Sequence, residues 1–152
     1  MVRVTDLMVG DKVYWATNVV MFVLDVRRSD KTVVGMVNEK ELDPELLEYA
    51  PGGIVSVDPS DLNPIPLTPE ILEINGFKYD GMADWKLEGK DGLFIKVCPV
   101  QPNNDDWWHP SSTGFEVNNS ISDILLEGVE QVYVHQFQHA LTMANVEMNL
   151  II

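Results

Sequence analysis

Two short stretches bring together side chains able to do chemistry. In YVHQFQHAL, residues 133–141, His135 and His139 stand four positions apart. On a helix that spacing puts both imidazoles on one side, about 40° apart, close enough to share a zinc ion. A zinc site needs a third ligand and usually a fourth. The glutamate of a metalloprotease HExxH helix is absent, because Gln136 occupies its place. The expectation is therefore that His135 and His139 are ordinary polar-face histidines, with a shared metal as the weaker reading. In NNDDWWHP, residues 103–110, Asp105, Asp106 and His109 could ligate a cation, and Trp107 and Trp108 could stack on a sugar or a base. The bland alternative is that one tryptophan anchors the loop to a sheet while the other covers an apolar edge or meets a partner.

No phosphate-binding loop, serine elbow, nucleophile triad signature or metalloprotease helix occurs. No residue is assigned a catalytic role, no cofactor is implied, and nothing positively supports an enzyme. The single cysteine, Cys98, excludes an intrachain disulfide and a cysteine-based zinc site. It lies in FIKVCPV, an alternating stretch in which a small buried hydrophobe is expected.

The formal net charge of -14 comes from 24 acidic and 10 basic residues. It opposes binding to nucleic acid, whose affinity depends on cations that neutralise phosphates. Solubility accounts for most such acidity; a sharper reading is a decoy that imitates DNA with rows of carboxylates. No apolar run approaches the roughly 20 residues of a membrane helix, and MVRVTDLMVGDK lacks the features of a secretory leader. No membrane association and a cytoplasmic location are the expectations.

The elements that must carry these residues read as α+β. Over residues 1–66, KVYWAT, VVMFVLDVRR, TVVGMV and GGIVSVD read as short strands separated by turn residues, which predicts a small SH3-like barrel. The second of these segments is apolar on both faces. Val20, Phe22, Leu24 and Val26 point one way, while Val19, Met21 and Val23 point the other and are predicted to form an interface. Between the third and fourth strands, NEKELDPELLEYAPGG carries five acids and one lysine, and Asp43 with Pro44 predicts a short exposed helix ending near Tyr49.

The clearest punctuation is DLNPIPLTPEILEINGF. Pro64 and Pro66 hold an extended connector, Thr68 caps a helix, Pro69 takes its first position and Gly76 stops it. Residues 67–76 thus form a connector helix. Residues 77–152 read as an antiparallel sheet packed by one helix over about 130–144, with VEMNLII as a closing strand. On that helix Val132, Tyr133, Phe137, Ala140 and Leu141 make the apolar stripe, and His135 and His139 fall opposite it.

PIPLTPEILEINGF together with YVHQFQHAL, preceded by GDKVYW, resembles a family of small uncharacterised proteins of gut Bacteroidales and of their phages and prophages. The matched segments cover about a quarter of the chain. Phe137 departs from the leucine usual in the family's YVHxLQ helix, and residues 78–128 match nothing in it. The resemblance implies a mobile-element accessory protein and carries no reaction with it. Three functions remain open: an interaction or assembly module that binds a protein partner or itself; a metal- or carbohydrate-binding protein built on Asp105, Asp106, Trp107, Trp108 and His109; and an acidic decoy of a host DNA-binding protein.

Overall fold

The computed structural model describes residues 3–16, 18–81, 85–89, 94–98, 113–119, 122–129, 132–143 and 145–152. Contacts divide the chain into two compact units, Met1–Ile65 and Pro66–Ile152. Every strand pairing among the described residues is antiparallel, and two α-helices accompany two five-stranded sheets, so the class is α+β.

The first unit contains β1 (Lys12–Trp15), β2 (Val19–Arg27), β3 (Thr32–Val37), β4 (Ile54–Val57) and β5 (Leu62–Asn63), in the sheet order β4-β3-β2-β1-β5. Alternation sets what is inside: Val13, Trp15, Met21, Val23, Val33, Val37, Val55 and Val57 are all buried. Room for Met21 comes from Gly35, which pairs with Val23; a Cβ there would overlap the Cγ and Sδ of Met21. The approach to β1 is tied down by Asp11, which is 2% exposed and accepts the Met8 N–H on Oδ2 at 2.8 Å.

The acidic stretch between β3 and β4 does not form the predicted helix. It folds as three 3-10 turns, Glu39–Glu41, Leu47–Tyr49 and Pro51–Gly53. Asn38 caps the first, accepting the Lys40 N–H and donating to Glu41. Leu42 and Ala50, eight residues apart, both sit in the core. Anchoring at both ends fixes the path of a segment too short to pay for helix nucleation.

The second unit opens with α1 (Pro69–Ile74), where Thr68 Oγ1 accepts the Ile71 N–H. The helix ends in a Schellman turn: Gly76 at φ +87° donates to the Glu73 carbonyl and Phe77 donates to the Leu72 carbonyl. Leu72 and Phe77, the pair that accompanies such a turn, are buried. A meander follows, of β6 (Lys78–Tyr79), β7 (Trp85–Glu88), β8 (Phe94–Cys98), β9 (Thr113–Asn119) and β10 (Ser122–Val129), in the order β10-β9-β8-β7-β6. Finally α2 (Val134–Met143) contacts β9, and Phe137 meets Phe77 edge-on with ring centroids 5.9 Å apart. It too ends in a Schellman turn, with Asn145 in the left-handed region at φ 56°.

Residues 146–152 form no strand, contrary to expectation. Leu150 is buried, and the side-chain amide of Asn75 brackets the next residue: its Nδ2 donates to the Ile151 carbonyl and its Oδ1 accepts the Ile151 N–H, both at 2.8 Å. A side chain thus offers the tail the two hydrogen bonds that a strand partner would supply.

Candidate functional site

The outer face of the first sheet carries a row of partly exposed apolar side chains. Along β2, Met21 and Val23 are 0% exposed and Val19 packs against the same core. These are the residues predicted to form an interface, and the prediction is corrected: that row faces inward. Its neighbours decide this, because Met21 pairs with Val13 and Val37, both buried. The outward row is Val20, Phe22 and Leu24. A register shift between Val23 and Asp25 then reverses the parity, turning Asp25 out and Val26 back toward the core.

Cross-strand pairing extends the outward row over four strands. Lys12 pairs with Phe22, Phe22 with Met36, and Met36 with Ile54. Met36 is 49% exposed, Ile54 42% and Leu24 38%, while Tyr14, Val20, Phe22 and Val34 are half-buried. At about 4.8 Å between strands, the row is ~14 Å long. The carboxylate of Asp25 on this face is held by Arg27, Nε to Oδ2 at 2.9 Å. At the β1 end, burial pushes the Lys12 ammonium below its ordinary pKa.

The histidine pair lies elsewhere, in the second unit, and differs from expectation. His135 is 5% exposed rather than on a polar face, and His139 is half-buried. The helix begins at Val134, later than the pattern indicates, so its first turn is enclosed on more than the apolar stripe: Val132, Val134 and His135 are all buried. The Tyr133 ring lies nearly parallel to that of His135, 13° apart at 6.0 Å, and His139 meets it edge-on at 6.0 Å. Gln136 is used locally, its Oε1 accepting the Tyr133 N–H at 3.1 Å, half of a capping box. No group of three or more His, Cys, Asp or Glu residues among the described residues is placed to hold a metal ion.

Asp105, Asp106, Trp107, Trp108 and His109 lie outside the described residues. Among the described residues no helix is long and apolar enough to cross a membrane. No family model, no curated protein and no solved structure matches the chain.

The outer face was only half legible in the sequence. The doubly apolar segment of β2 is visible there as two rows. Which row faces out depends on Lys12, Met36 and Ile54 falling in register with Phe22, and that is a matter of strand pairing.

Proposed function

We propose that the protein is a non-enzymatic interaction module that docks a protein partner on the outer face of its first sheet. The carrying observation is the row Phe22, Met36 and Ile54 across β2, β3 and β4, in which two large apolar side chains stand more than 40% exposed beside half-buried Val20 and Val34. Its extent is that of the largest apolar patch on an ordinary monomer, and such patches are often functional.

The first unit is read as an SH3-like barrel. The strand order β4-β3-β2-β1-β5, the irregular long strand β2 and the single 3-10 turn Pro59–Asp61 leading into β5 support that reading. The resemblance of PIPLTPEILEINGF and YVHQFQHAL to small phage and prophage proteins of gut Bacteroidales supports an accessory role, in which binding a protein rather than turning over a substrate is the task.

Photo-crosslinking tests the docking surface. A benzophenone amino acid replacing Met36 is expected to give a discrete protein adduct in producing cells, and the same group replacing exposed Glu45 is expected to give none. Equal labelling from both positions, or from neither, sinks the reading.

A further inference from the structure

We propose that Asn75 is a latent self-modification site: its side-chain amide is lost by attack of the Gly76 backbone nitrogen, the bound tail at Ile151 holds that reaction back, and the product lets the tail go. Of the chain's asparagines, only Asn75 precedes a glycine. Without a Cβ on the following residue, the backbone nitrogen can approach the asparagine side chain unhindered. Water also reaches the pair, since Gly76 is exposed and Asn75 half-buried.

The step needs only water. Hydroxide removes the Gly76 amide proton, and the nitrogen attacks Cγ of Asn75. The new N–C bond closes a five-membered imide, the Cγ–Nδ2 bond breaks, and Nδ2 leaves as ammonia after taking a proton from solvent. A water molecule then opens the imide at either carbonyl, giving aspartate in the normal main chain or isoaspartate with the main chain running through Cγ. One water enters and one ammonia departs, so the change is one-way.

In the folded protein both reactants are held out of position. Three hydrogen bonds fix the Asn75 amide: Nδ2 donates to the Ile71 carbonyl at 2.7 Å and to the Ile151 carbonyl at 2.8 Å, and Oδ1 accepts the Ile151 N–H at 2.8 Å. The Gly76 N–H is itself engaged, donating to the Glu73 carbonyl at 2.9 Å. Two of the three side-chain bonds come from the tail, so when Ile151 leaves, only the Ile71 bond still restrains the side chain.

The product reverses the fit. A carboxylate accepts hydrogen bonds and donates none. It can keep the Ile151 N–H, but it opposes the Ile71 and Ile151 carbonyls with lone pairs where Nδ2 had donated. It also sets negative charge at the C-terminal end of α1, where unpaired carbonyls already concentrate it. Isoaspartate further inserts a methylene into the main chain beside the Schellman turn. Tail engagement therefore suppresses the reaction, and the reaction suppresses tail engagement.

Incubation of the full-length protein in mildly alkaline buffer, followed by mass and isoaspartate analysis of the peptide that carries residue 75, tests the gate. The urea-unfolded chain gives the unhindered rate, and the folded wild type should react far more slowly. Ile151→Pro removes the N–H that Oδ1 accepts at a residue 59% exposed, and should speed the reaction by about fivefold or more with unchanged circular dichroism. Leu150→Ala, which loosens the buried anchor of the tail, should act in the same direction. Asn75→Asp, the product made directly, should keep the circular dichroism and accelerate hydrogen exchange at the Ile151 amide. A wild type that reacts as fast as the unfolded chain overturns the gate, as do folded Ile151→Pro and Leu150→Ala proteins that react no faster than wild type. Wild-type exchange at Ile151 in Asn75→Asp overturns the release.

Discussion

The inner and outer rows of β2 and β3 are built from the same kinds of residue and have opposite fates. Met21, Val23 and Val37 are buried to 6% exposure or less; Leu24 and Met36, on the same two strands, are 38% and 49% exposed. Apolar character therefore does not separate core from surface here. The inner row gains from being surrounded by Val13, Val33, Val55 and Leu62, whereas the outer row has no second layer within its own sheet. Folding is driven by one row, and the other keeps part of its apolar area in solvent.

The sharpest test of that contrast is a pair of methionines one strand apart. Met21→Ala should cost about 2–5 kcal/mol in chemical denaturation, because it opens a cavity. Met36→Ala should stay within about 0.5 kcal/mol, as a surface substitution does. Comparable losses would erase the distinction between the rows. Next in size is Gly35→Ala, expected to cost about 1–3 kcal/mol by overpacking against Met21. The double variant Gly35→Ala with Met21→Ala should cost less than the sum of the singles, and additivity would show that the two sites do not share that space.

The second unit offers the converse case, in which apolar surface is closed by the chain's own tail. Asn75→Ala removes both hydrogen bonds to Ile151 and a third to the Ile71 carbonyl, and should cost about 1 kcal/mol. Hydrogen exchange at the Ile151 amide should accelerate, and unchanged protection there would show that Leu150 alone holds the tail. The smallest effect concerns the turn that leaves β4. The Ser60 hydroxyl and the Ser60 N–H both donate to Asp58, and these bonds hold its carboxyl below the ordinary range. A depressed carboxylate contributes stability that is complete above the ordinary carboxylate pKa and is lost as pH falls through the lowered value. NMR titration of Asp58 should show a low midpoint that Ser60→Ala moves upward toward the ordinary one.

Local signals were legible wherever neighbouring residues alone decide the outcome. Thr68, Pro69 and Gly76 mark the limits of α1 within a residue, because a cap, a missing N–H and a left-handed stop act within one turn of chain. The same reasoning failed at Asp43 and Pro44, where equally good start signals precede only 3-10 turns. The burial of Leu42 and Ala50 outweighs them. It failed again for residues 146–152, whose alternation suits a strand but whose backbone is engaged by Asn75. His135 was misplaced for a related reason: helical periodicity locates a side chain on a cylinder, and only the surrounding chain decides how much of that cylinder is covered.

The sequence by itself determined the alternation of strands and turns, the α+β composition, a capped helix starting at Pro69 and stopped by Gly76, and the existence of two apolar rows in β2. Each follows from steric and hydrogen-bonding preferences acting over a few residues. Tertiary structure alone decided which row is core, that Lys12, Phe22, Met36 and Ile54 stand in one line, and that the tail closes on a side chain. Those outcomes depend on pairing between distant segments, where a shift of one residue exchanges the faces of an entire strand.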